Sequence, residues 1–265
     1  MGNNKCSVRL ILLAALLSLA APLALPADNP TDFEVATIKP HNPDVPGFGI
    51  QIKGRRFTTV ATPLSSLIAF AYGLHPRQIL EAPNWVETEK YDIVAEAAGP
   101  DEAANGLTMI SRVQTLLADR FALAFHREKK TLSVYGIVVG KNGPKFLQNT
   151  GDPKANPTYG FRGLGMMTAV NAGVANLAAW LQRYVLDRPV IDHTGIAGVY
   201  NFNLNWRADE FQFSDIGGVL PRSADEADRP DLYTAIQQQL GLRLETMKAQ
   251  VEVFVIDRVD LPSAN

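Results

Sequence analysis

Phe57-Thr58-Thr59-Val60 and Met167-Thr168-Ala169-Val170 are short runs of strand-forming residues, and Thr58/Thr168 and Val60/Val170 lie 110 positions apart. Each run leads into residues with apolar groups at helical spacing: Leu64, Leu67, Ile68 and Ala71 after the first, Val174, Leu177, Ala178 and Leu181 after the second. Thr62-Pro63 reads as an N-cap with an N1 proline, and Asn171 as the cap of the second helix. A proline follows each helix (Pro83, Pro189). A tyrosine then opens an alternating strand: Tyr91-Asp92-Ile93-Val94-Ala95 in one place and Tyr200-Asn201-Phe202-Asn203-Leu204 in the other, 109 positions on.

A second pair of blocks extends the match. Leu107, Ile110, Val113 and Leu117 mark a helix, after which Phe121–Phe125 and Leu132–Val139 read as two strands. His126-Arg127-Glu128-Lys129-Lys130 between them reads as a solvated basic hairpin turn. Further on, Leu232, Ala235, Ile236 and Leu240 mark a helix closed by Gly241, a good C′ residue. Leu242-Arg243-Leu244 and Val251–Ile256 then form the corresponding strand pair. Leu132/Val251, Val134/Val253 and Ile137/Ile256 share an offset of 119. The expectation is an α+β fold of two similar halves, residues 28–150 and 151–265, arising by internal duplication. Each half reads strand–helix–strand and then helix–hairpin, with helices packed on mostly antiparallel sheets. Phe33–Ile38 is expected to add an edge strand. Residues 140–165, with six glycines and three prolines, and residues 207–230 read as loops.

Composition narrows the function classes. The 265 residues carry a formal charge of −2, with 46% hydrophobic and 20% charged residues. That is globular composition without the basic surplus of a nucleic-acid binder. Lys5 and Arg9, the apolar run Leu10–Ala21 and small residues up to Ala27 have the layout of a secretory signal peptide, residues 1–27, cleaved after Ala27. Its apolar run is shorter than a membrane-spanning helix requires. Cleavage would remove the single Cys, Cys6, leaving a thiol-free chain in the periplasm or outside the cell, with no transmembrane segment.

The chain resembles a family of exported proteins abundant in soil Acidobacteria and known as a domain of unknown function. The resemblance is carried by Phe33–Pro40, Leu116-Leu117-Ala118-Asp119-Arg120-Phe121, Phe125-His126-Arg127-Glu128, Tyr135 and Lys141-Asn142-Gly143-Pro144-Lys145. It continues through Pro189–Gly195, Gly198, Tyr200 and Val255-Ile256-Asp257. Some members join a similar domain to a BlaR-type membrane metallopeptidase, which implies extracytoplasmic sensing or interaction. The β–α–β units are also similar to the N-terminal signalling domains of secretins and TonB-dependent receptors, a likeness of fold alone.

The residues suited to chemistry are few. His41, His75, His126 and His193 show no pair at three- or four-residue spacing, so no metal or other cofactor is expected. There is no Gly-x-Ser-x-Gly elbow and no phosphate-cradling Gly-Lys-Ser/Thr. Gly160-x-x-Gly163-x-Gly165 reads as loop. Asp192-His193-Thr194-Gly195 reads as a turn in which Asp192 caps nearby amides and Gly195 takes a positive φ. The sequence therefore points to a binding or sensing protein whose partner is a protein, peptide or glycan of the cell envelope and not a nucleic acid. Recognition would use the cleft between halves or strand addition at 33–38 or 251–256. Trp85 and Trp206 adjoin loop and strand ends; core or partly buried packing is the favoured reading, and they are the weak candidates for ligand platforms, the ligand site being otherwise unassigned. The alternative is an extracytoplasmic hydrolase assembling Asp92, His126, Asp192 and His193 in space.

Overall fold

The computed structural model describes residues 33–97, 106–209, 212–213 and 225–262; the signal-peptide reading of 1–27 lies outside the described residues. In chain order the first part holds β1 (Phe33–Pro40), β2 (Gly49–Lys53), β3 (Arg56–Pro63), α1 (Leu64–Tyr72), β4 (Ile79–Leu80) and α2 (Trp85–Thr88). It continues with β5 (Lys90–Ala97), α3 (Gly106–Phe121) and β6 (Ala124–Val139). Next come β7 (Leu147–Gln148), β8 (Thr158–Gly163), β9 (Met166–Ala172), α4 (Val174–Tyr184), β10 (Val190–Asp192) and β11 (Tyr200–Asn205). The chain ends in α5 (Leu232–Ala235), a π-helical turn over Ile236–Leu240, and β12 (Leu242–Arg258). Among the described residues this is an α+β fold of three four-stranded sheets, mostly antiparallel, with five α-helices.

One sheet has the order β1-β5-β3-β2 and a second β7-β11-β9-β8, both antiparallel throughout. Between them lies β10-β6-β12-β4, in which β6 and β12 run antiparallel and the short outer strands run parallel to their neighbours. Period-two alternation explains the flanking sheets. Tyr91, Ile93, Ala95 and Ala97 of β5 face the core while their neighbours face outward. β1 sits at the sheet edge, where residues 33–38 were expected.

The expected hairpins do not form. β6 runs unbroken for 16 residues through His126–Lys130, and β12 for 17, and the two pair with each other from Leu242 opposite Val139 to Arg258 opposite Ala124. The physical reason lies in the residues. The 126–130 run contains no Gly, Pro or Asn to turn the chain. Its charges are matched across the ribbon: Arg127 meets Glu252 at 2.5 Å and His126 meets Asp257 at 2.8 Å. Phe125 stacks on Phe254 with centroids 4.0 Å apart. Residues 251–256 pair with β6 along one side, and Phe254 and Val255 pair with β4 on the other.

The 140–165 loop expectation is also corrected, because β7 and β8 lie inside it. Gly160 and Gly163 belong to β8, and Gly165 (φ 69°) makes the tight turn into β9, where a Cβ would strike the carbonyl of Trp206. The caps shift as well. Pro63 is the N-cap of α1, and Gly173 that of α4, its amide donating to Asn176 Oδ1 at 2.8 Å. Asn171 instead sits at φ 59° and donates its side-chain amide to the carbonyls of Asp152 and Ala155.

The long ribbon serves two cores. Phe254 and Ile256 pack with Phe57, Leu67, Ile93 and Phe121, while Tyr135, Ile137 and Leu242 pack with Met167, Leu181, Leu204 and Trp206. At about 25 cal/mol per Å² of apolar surface buried, such clusters supply the main drive for folding. No helix among the described residues is long and apolar enough to cross a membrane.

Candidate functional site

Helix α1 closes one core and α4 the other, and where they meet the surface is hollow. A cleft of about 800 Å³ is lined by residues of β2, the Val45–Gly49 segment, and Phe70, Arg183 and Tyr184. A second cleft of about 560 Å³ adjoins it and shares Ser66, Arg183 and Tyr184. Volumes of this size suit a small ligand. The first cleft is apolar, with Val45, Phe48 and Ile52 standing exposed at its rim. The second is polar, lined by His75, Tyr135, Gln182, Asp187 and Asp209 among others.

The contacts that hold α1 against α4 are polar and specific. Gln182 donates to the Gly73 carbonyl at 3.1 Å, and Arg77 pairs with Asp187 at 3.3 Å. His75 is buried; its Nδ1 accepts the Arg77 amide at 3.1 Å, so Nε2 carries the proton and donates to the Leu186 carbonyl at 3.3 Å. Burial pulls its pKa down to about 4, opposed by that carbonyl bond and by Asp187 and reinforced by Arg77. Tyr135 donates to Asp187 Oδ1 at 3.2 Å, and burial holds its pKa well above the ordinary phenol. Arg183 differs from its neighbours. Its guanidinium lies 4.5 Å from the Phe70 ring centroid and 5.0 Å from that of Tyr184, and its buried Nε has no hydrogen-bond partner.

The family described as protein of unknown function (DUF3738) matches residues 65–259. The chain belongs to this family. No curated protein and no solved structure matches the chain. The DUF3738 match takes in α1, α4 and the polar cleft, and leaves β1, β2 and the Val45–Phe48 rim on its N-terminal side.

Of the four residues considered for hydrolysis, Asp92, His126 and Asp192 lie on different strands and His193 directly follows Asp192; among the described residues no hydrogen bond joins any two of them. Asp92, in β5, accepts His41 Nδ1 at 2.8 Å and the Ala61 amide at 2.9 Å through the same oxygen. His126, in β6, is exposed between Glu128 (3.1 Å) and Asp257 (2.8 Å), and these carboxylates raise its pKa. Asp192 Oδ1 accepts the amide and hydroxyl of Thr194 at 2.9 and 2.7 Å, and Gly195 takes φ 67°. His193 is exposed just beyond β10. Neither tryptophan candidate is a free platform. Trp206 is fully buried, donating Nε1–H to Gln212 at 2.7 Å and stacking on Phe213, and half-buried Trp85 packs against the first core.

Sequence reasoning missed Arg183, Lys90, His41 and Phe48, all on the apolar cleft. One clue was available: Arg183 follows Val174, Leu177, Ala178 and Leu181 near their apolar stripe, a place where a guanidinium needs a reason. The remaining three come from segments before β2 and the start of β5, which meet only in the folded chain.

Proposed function

We propose that this DUF3738 chain is an exported binding or sensing protein and that its ligand enters the cleft between α1 and α4. The observation that carries the reading is the cleft itself, an apolar hollow lined from both parts of the chain and edged by exposed Val45, Phe48 and Ile52. Exposed apolar side chains clustered around a concavity favour a binding role over a purely structural one. Export, to the periplasm or beyond, rests on the layout of residues 1–27. A sensing role agrees with the resemblance to family members joined to BlaR-type membrane metallopeptidases.

Two repeated halves, 28–150 and 151–265, form part of the same proposal. It is supported by the strand orders β1-β5-β3-β2 and β7-β11-β9-β8, each with a helix following its third-listed strand. It is also supported by left-handed residues at Ala61 and Asn171, each just before a helix. In this reading the cleft lies where the repeats join.

The test places a photo-cross-linking side chain at Phe48, with the still more exposed Leu147 on β7 as a control, in the chain expressed in its source cell. An adduct of one defined mass from position 48 and none from 147 is the expected result. Equal labelling from both positions, or none from 48, would overturn the cleft as the binding site.

A further inference from the structure

The lining of the apolar cleft has a one-sided charge. Among the described residues its ionisable groups are His41, Lys90, Arg183 and Tyr184, with no carboxylate in the lining. His41 is engaged by Asp92. The side chains of Arg183 and Lys90 make no hydrogen bond or ion pair among the described residues, and the Arg183 Nε is buried without an acceptor, which is costly. The Phe70 and Tyr184 rings hold the guanidinium from two directions, at 4.5 and 5.0 Å. Stacking of that kind fixes the plane of the fork and leaves its edge for a planar anion. The same cleft is lined by Val45, Phe48 and Ile52, all more than two-fifths exposed and all apolar.

We propose that this cleft binds a small amphipathic organic anion, a carboxylate carried on an apolar chain or ring. The inference rests on the cleft reading above and names its occupant, in place of the protein, peptide or glycan that the sequence suggested. The carboxylate sits on the Arg183 fork with Lys90 as a second positive charge, and the apolar body covers Phe48, Ile52 and Val45. A neutral molecule of the same shape gains the apolar contact and leaves the guanidinium unpaired. A cation meets two positive charges and no compensating carboxylate. The size of the hollow, about 800 Å³, falls in the range of small-molecule sites and favours a compact ligand over a folded partner.

The experiment titrates the chain from residue 28 onward with octanoate, octan-1-ol and octylamine, each below its aggregation threshold, by calorimetry and by amide chemical-shift mapping. Octanoate is expected to bind at least about tenfold more tightly than the other two, with shifts centred on β2 and α4. Arg183→Gln should remove that preference while leaving octan-1-ol binding unchanged, and Arg183→Lys should retain part of it. Phe48→Ser should weaken octanoate and octan-1-ol alike. Thermal melts of each variant show whether the fold is retained, and the Lys variant covers the case in which Gln unfolds the chain. Equal binding of octanoate and octan-1-ol by the wild type, or undiminished preference in Arg183→Gln, would overturn the proposal. If position 48 still captures a defined adduct while octanoate fails to bind, the anion inference falls and the cleft reading stands. A short peptide that binds there when octanoate does not would have the same meaning.

Discussion

Asp92 Oδ1 accepts the backbone amide of Ala61 at 2.9 Å, at the place where β3 slips its register against β5 and turns into α1. Ala61 has φ 48°, a left-handed conformation that costs a non-glycine residue about 1–2 kcal/mol unless its surroundings hold it. The other flanking sheet uses the same device. Asn171 has φ 59°, its amide donates to Asn201 Oδ1 at 3.0 Å, and β9 slips there against β11. Asp92 and Asn201 each directly follow a tyrosine near the start of its strand, Tyr91 in β5 and Tyr200 in β11. The carboxylate considered for the hydrolase alternative is therefore committed to a backbone bulge and to positioning His41 at the cleft.

The bulge requires an acceptor and not a charge. Asp92→Ala should lower unfolding free energy by about 1–3 kcal/mol, the cost of leaving a native amide without its partner. Asp92→Asn keeps Oδ1, as the other sheet does with Asn201, and should cost less than about 1 kcal/mol. Urea denaturation of the two variants checks this. Equal losses would show that the charge, and not the acceptor, holds Ala61.

His75 gives the α1–α4 junction a defined acid sensitivity. Its folded pKa, about 4, lies below the ordinary 6.5, so the folded state holds it neutral. Below pH 6.5 the unfolded chain binds a proton that the native chain does not. Stability is therefore complete above 6.5, declines as the pH falls toward 4, and loses no more from this residue below that. The loss is on the order of 3 kcal/mol. His75→Asn keeps an acceptor for the Arg77 amide and removes the titration. Melting temperatures of wild type and variant should diverge at pH 7 and converge toward pH 4.

Much of this fold can be read from the chain because its flanking sheets alternate cleanly and its helices carry single apolar stripes. The edge strand at Phe33–Ile38, the turn Asp192 makes with Thr194 and the Gly241 cap all follow from local chemistry. The central ribbon does not. His126–Lys130 has a turn's polarity, and it stays extended because Glu252 and Asp257, more than a hundred residues away, sit across from it. β4 and β10 are two and three residues long and take their identity from the ribbon beside them. The cleft is hidden for a similar reason: Arg183, Lys90 and Phe48 have nothing in common until α4 comes beside α1.

Two glycines separate backbone conformation from close approach. Gly73 and Gly241 both end helical segments with φ near +68°: 67° for the first and 69° for the second. A Cβ on Gly73 would meet open space, whereas one on Gly241 would run into the carbonyl of Gly143, in the loop that also packs Gly140 against Gly241. Gly73→Ala should cost about 1 kcal/mol, the conformational penalty alone. Gly241→Ala should cost about 3 kcal/mol or more, because the loop must move. Similar losses in chemical denaturation would mean that the Gly143 loop yields freely.

Trp206 supports the second core and does not present a surface to ligand. Its ring is fully buried between Trp180 and Phe213, with centroids 6.0 and 5.7 Å away. Trp206→Ala should cost about 3–5 kcal/mol, the range for deleting a large buried aromatic. Trp206→Phe keeps most of the packing but leaves Gln212 Oε1 without the indole donor, and should cost about 1–2 kcal/mol. A platform residue would behave in the opposite way: its removal would leave stability unchanged and abolish binding. Intrinsic fluorescence gives a second check. In a chain keeping Trp206 as its only tryptophan, emission should be blue-shifted and insensitive to iodide, and should move to the red only as the second core unfolds.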